Sequence, residues 1–178
     1  MDSWKSQSFG SLSNAKILVV SKSPDPDVRK SYELAIANRL RSQGFDAVES
    51  HIELPSLQDA HTPQEIENTI QLFMESGITG IILTSLKQTI KTHNSNLSSQ
   101  VGIPESYADK SSFGQNAGSL DALPTSTSTT YVLEALIYNL ALAENNQLVN
   151  VCLVDVTDPH SGDNIRKTFT KIIGDQFK

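Results

Sequence analysis

The chain has 178 residues, 38% of them hydrophobic and 19% charged, with a formal charge of −6 and a pI near 5.1. That length suits one domain with a core that needs neither disulfides nor a metal, and the composition excludes a wholly disordered chain. No apolar run approaches the roughly 18–20 residues of a membrane-spanning helix, and the acidic balance argues against a broad phosphate-binding surface and so against nucleic acid as a partner.

The opening stretch MDSWKSQSFGSLSNA lacks the apolar region of a signal peptide. Residues 1–14 are read as an N-terminal arm, either of a cytoplasmic protein or of one whose leader has been removed. KILVV (16–20) is apolar on both faces, as a strand covered on both sides should be. SPDPD follows, with Asp25 as N-cap, Pro26 at the first helical position and Asp27 at the positive end of the helix dipole. Val28, Tyr32, Ala35, Ile36 and Leu40 then recur at helical spacing, and Gly44 ends the helix. FDAVES (45–50) is the next strand.

TPQE (62–65) is a capping box, and Ile66, Ile70, Phe73 and Met74 mark the apolar face of a second helix that stops at Gly77. In the third strand, GIILTSLKQTIKT (80–92), the second half alternates, with Leu86 and Ile90 on one face and Lys87, Thr89 and Lys91 on the other. Residues 94–128 are rich in Ser, Asn, Thr, Gly and Pro. They are read as a long polar loop, mobile rather than functional, that Tyr107 and Phe113 tack to the surface. LEALIYNLALA suits a helix by propensity, but a hairpin with AENN as its turn and QLVNVCLVDV as its returning strand is the reading adopted. A last helix carries Ile165, Phe169, Ile172 and Ile173 on its buried face and is expected to end at Gly174. The element order is β-α-β-α-β-β-β-α. It predicts a single α/β domain over 1–178, with a mixed sheet and helices packed against it.

No set of residues assembles into a reactive centre. SKSPDPD has no glycine, two prolines that lack a donor and two aspartates where phosphate would sit, so it reads as a helix cap. Asp25, Asp27, Asp46 and Asp155 are scattered candidates for a receiver-type acidic cluster, and no lysine completes it. His51, His61, His93 and His160 show no metal-ligand spacing and are read as solvated or locally hydrogen-bonded, while Cys152 is read as a small buried hydrophobe. Glu134 within the apolar run 131–143 is read as outward-facing or held by a hydrogen bond rather than as a catalytic acid. G-x-S-x-G is absent. No catalytic, cofactor-binding or metal residue is assigned, and no cofactor is expected.

Several segments resemble a family of uncharacterised bacterial envelope lipoproteins. The resemblance rests on Ser3, Trp4 and Lys5, on Arg29 and Glu33 in the first helix, and on Gly44, Ala47, Ser50 and Pro55 around the second strand. It continues through GITGIILTSL and through Glu134 and Tyr138 of YVLEALIYNL, and covers roughly residues 3–93 and 130–175. Thr79-Gly80 and Leu148-Val149-Asn150 depart from the family's pattern, as does the missing cysteine ahead of Ser3. The resemblance implies a fold like the TolB N-terminal domain and the curli-secretion type of lipoprotein. It also implies a non-enzymatic, exported domain, in the periplasm and tethered to the outer membrane by a lipid in its native form, acting through an unknown envelope protein. Trp4, Tyr107 and Phe113 are the interaction candidates. The alternative is a ligand-binding or enzymatic doubly wound domain using the strand ends near Ser21–Asp27, Ser50–Glu53 and Thr84–Leu86. A cytoplasmic interaction module differs from the first reading only in location.

Overall fold

KILVV lies at the centre of the parallel half of a six-stranded mixed sheet. The computed structural model describes residues 1–55, 62–95 and 125–178. Its strands are β1 (Asp2–Lys5), β2 (Lys16–Lys22), β3 (Asp46–Glu49), β4 (Ile78–Ser95), β5 (Thr125–Asn139) and β6 (Leu148–Thr157), in spatial order β1-β6-β5-β4-β2-β3. Its helices are α1 (Pro26–Ser42), α2 (Ser50–Glu53), α3 (Pro63–Glu75) and α4 (Gly162–Gln176), with a 3₁₀ helix at Gln7–Asn14. β2 pairs parallel with β3 and β4, as two crossovers demand. The β4–β5 and β5–β6 pairs are antiparallel, so LEALIYN is strand and the connection after it carries a short 3₁₀ turn at Glu144–Asn146.

Alternation divides the sheet into two faces. On one, Ile17, Val19, Ile82, Ala135, Ile137, Cys152 and Val154 pack against Ile36 and Leu40 of α1 and Phe169 and Ile173 of α4. This is the main core, and burial there pushes the Cys152 thiol pKa up, as suits an inert hydrophobe. On the other face α3 stands over Leu18, Ile78 and Ile81 and brings only Phe73 to full burial. Helix starts follow the sequence closely. The Asp25 side chain accepts from the N–H groups of Asp27 and Val28, and Thr62 and Glu65 form the reciprocal capping box.

Four expectations change. Residues 2–5 of the N-terminal arm are a strand on β6, and the 3₁₀ helix after it buries Phe9 and Leu12, with the Phe9 ring 5.0 Å from that of Phe177. α4 runs on to Gln176 because Gly174 is not a stop: α4 crosses α1 there, and an added Cβ would lie 2.6 Å from Arg39 Cγ. The register skips between Leu86 and Gln88, a β-bulge at Lys87. That skip places Leu86 opposite Leu133 on the main-core face and Ile90 opposite Thr130 on the other, so the two do not share a face. Finally, residues 94–95 and 125–128, assigned to the polar loop, belong to β4 and β5; the rest of that loop lies outside the described residues.

Phe169 has no exposed surface whereas Met74 of α3 is 49% exposed. Phe169→Ala is expected to cost about 3–5 kcal/mol, and Met74→Ala less than about 0.5 kcal/mol, both read from urea unfolding midpoints.

Candidate functional site

The C-terminal ends of β2 and β3 are the region where an open α/β sheet presents a ligand site, and here an internal carboxylate fills it. Glu33 of α1 is fully buried. Its Oε1 accepts from the Ser21 backbone N–H (3.1 Å), Arg29 Nε (3.0 Å) and Ser50 Oγ (2.6 Å). Its Oε2 accepts from the His51 backbone N–H (2.9 Å) and His51 Nδ1 (2.6 Å), so Nδ1 is the ring nitrogen that bears hydrogen against the carboxylate. Arg29 also donates to Ser50 Oγ at 2.8 Å. Burial pushes the Glu33 pKa up, but the bonds from the Ser50 and His51 side chains and from the His51 and Ser21 backbones outweigh it and hold the group below its ordinary 4.5. The α1 N-terminus is likewise occupied by Asp25. The donors that would greet an anion are therefore already bonded to side chains of the chain itself. Farther along, Arg41 ties α1 to β3 through the Ala47 carbonyl (2.8 Å) and the Glu49 carboxylate (2.5 Å).

Arg29, Glu33 and Ser50, three of the resemblance residues, thus meet in one cluster. His51, read as solvated or locally hydrogen-bonded, joins them through a hydrogen bond to Glu33, 18 residues away. The i,i+4 spacing of Arg29 and Glu33 is the signal for the ion pair; nothing local announces His51. Glu134 is bonded to Lys87 at 3.0 Å. Among the described residues no group of His, Cys, Asp or Glu is placed to hold a metal ion, and no helix is long and apolar enough to cross a membrane. Tyr107 and Phe113 lie outside the described residues.

Trp4 has a specific place. Strand register puts Val20 (β2), Leu83 (β4), Leu136 (β5), Val151 (β6) and Trp4 (β1) in one row across five strands, on the face that α3 covers in part. Val20 and Leu83 lie at the α3 end, in the floor of a cleft of about 950 Å³. Leu136 and Val151 are half-buried and Trp4, at the open edge, is 52% exposed. A sheet face turned to water is normally polar at alternate positions; this row stays apolar to its edge, while the next row on the same face carries Lys22, Ser85, Glu134 and Asp2.

No protein-family model matches the chain, and no curated protein does so either. Among solved structures it is similar to a single-residue variant of the PelC dodecamer from Paraburkholderia phytofirmans. There, 97% of this chain and 94% of that one align at 11% identity with a TM-score of 0.50. Another crystal form of the PelC dodecamer aligns over 98% and 91% at 11% identity with a TM-score of 0.49. The lipoprotein GNA1162 from Neisseria meningitidis aligns over 91% and 96% at 12% identity with a TM-score of 0.46. At such identities the likeness speaks for the fold: a single mixed α/β domain of the PelC type, spanned nearly end to end.

Glu33→Gln is expected to lower stability at neutral pH by about 3–5 kcal/mol, because it leaves Arg29 beside a buried group that no longer carries charge. The Glu33 contribution is complete above the unfolded value near 4.5 and is lost as pH falls through the lower folded value. Urea unfolding across an acid pH series should therefore show a flatter acid limb for the variant than for the wild type.

Proposed function

We propose that this chain is a non-enzymatic domain of the bacterial cell envelope, periplasmic and lipid-tethered to the outer membrane in its native form, that works through protein contacts. The observation that carries the reading is the apolar row ending at Trp4. It lies on a sheet face left without a covering helix among the described residues, and an exposed apolar strip of this kind, with Glu134 and Asp2 beside it, marks an interaction surface. The bonded state of the Glu33 cluster supports a scaffold role, since its polar groups already satisfy one another. The resemblance around Ser3–Lys5, Arg29, Glu33 and Ser50 supports the envelope location. A second copy of the chain is the first occupant to consider, because the like-folded PelC variant is a dodecamer. Contact with a membrane is through the lipid, not through the domain, and nucleic acid is not a partner.

Sedimentation velocity over a concentration series is expected to show reversible self-association that Trp4→Ala weakens and Val151→Asp abolishes, with the far-ultraviolet spectrum unchanged. A wild-type chain that stays monomeric throughout, and that recovers no envelope protein above background, overturns the contact reading. The compartment is checked separately: the native gene should encode an export signal ending in a cysteine shortly before Ser3.

A further inference from the structure

α3 carries an apolar stripe and the sheet beneath it carries an apolar row, yet the two do not close on each other. Ile66 and Ile70 of α3 line one wall of the 950 Å³ cleft with Phe73, and Val20, Leu83 and Tyr138 line the floor. Ile66 remains 47% exposed although it belongs to the stripe that faces the sheet. The volume is at the upper end of the roughly 300–1,000 Å³ that small-molecule sites occupy. Lys22 and Arg29 stand at one end, and Glu144 and Gln147, from the turn after β5, line the other. By alternation along β2, Lys22 shares the Val20 face, and it makes no ion pair among the described residues. Arg29 lines the same end, one edge of its guanidinium committed to Glu33 and Ser50. The space is thus long and apolar in its body, with Lys22, among the described residues, as the unpaired cation at one end and the Glu144 carboxylate towards the other.

We propose that this cleft binds a single-chain anionic amphiphile, an acyl chain with a carboxylate or phosphate head set against Lys22. The chain lies along the floor between α3 and β4–β5. The apolar row that ends at Trp4 begins here, so the cleft and the open face are opposite ends of one surface. The inference does not rest on the protein-contact reading and is tested apart from it.

The probes are octanoate, decanoate and dodecanoate, each below its micelle concentration, titrated into the whole protein and followed by amide chemical-shift changes and calorimetry. The expected result is saturable binding with shifts centred on Val20, Lys22, Ile70, Phe73 and Leu83. Affinity should rise about fourfold for each added methylene. Lys22→Glu should weaken dodecanoate several-fold and leave dodecanol unchanged, while Leu83→Trp, which fills the floor, should abolish both. If Leu83→Trp does not fold, the Lys22→Glu comparison of dodecanoate with dodecanol decides alone. The proposal is overturned if wild-type protein shows no saturable shifts with dodecanoate, or shifts that map to Trp4, Val151 and Leu153. It is equally overturned if the protein pellets with phosphatidylglycerol vesicles while monomeric dodecanoate and dodecyl phosphate have no effect, which would assign the Lys22 end to a lipid surface.

Discussion

A six-stranded sheet has two faces to keep from water, and among the described residues two long helices cover one of them and a single one the other. The rest of the molecule follows from that inequality. The face under α1 and α4 closes into a continuous core from Ile17 to Val154. Opposite it, α3 reaches only the β3-β2-β4 side, where Leu18, Ile78 and Ile81 are buried. β5, β6 and β1 extend beyond it with Leu136, Val151 and Trp4 on the same side. Among the described residues, both features that suggest function, the cleft beside α3 and the open row beyond it, follow from the unequal cover of the two faces rather than from separately built sites.

The Glu33 cluster solves a different problem. Parallel strands end in backbone N–H groups that need partners, and many domains leave them for a ligand. Here a carboxylate from the crossover helix takes the donors of Ser21 and His51 together with the side chains of Arg29 and Ser50. The desolvation cost of burying a charge is offset because both oxygens are fully used and the counter-charge comes from the same helix. The cluster joins α1, β2 and the turn after β3, and so fixes the angle at which the first crossover returns to the sheet.

What could be read from the amino acids was whatever has a local cause. The Asp25 cap, the Thr62–Glu65 capping box, the apolar KILVV strand and the β5–β6 hairpin each follow from neighbours a few residues apart. β1 did not show itself, since four residues of mixed polarity have no period and their partner strand lies almost 150 positions on. The shift of parity at Lys87 was equally invisible, because a bulge is decided by the facing strand. At the site, Arg29, Glu33 and Ser50 stood only among the positions that carry the resemblance, and nothing in the sequence joined them to one another or to His51, whose bond is set by how β3 turns into α2. The cleft was hidden for the opposite reason: an amphipathic stripe on α3 signals burial, whereas only Phe73 attains it.

The Lys87 bulge has a consequence for how the protein behaves in a crowded solution. β2 stops opposite Ser85, so from Leu86 onward the outer edge of β4 has no neighbouring strand among the described residues. A bare edge of that length invites stray strand addition, the first step towards insoluble assemblies. By sending Leu86 and Ile90 to opposite sides and setting Lys87 and Lys91 among them, the inserted residue denies an incoming strand a uniformly greasy flank. One extra residue in the ladder thereby acts as a safeguard of solubility.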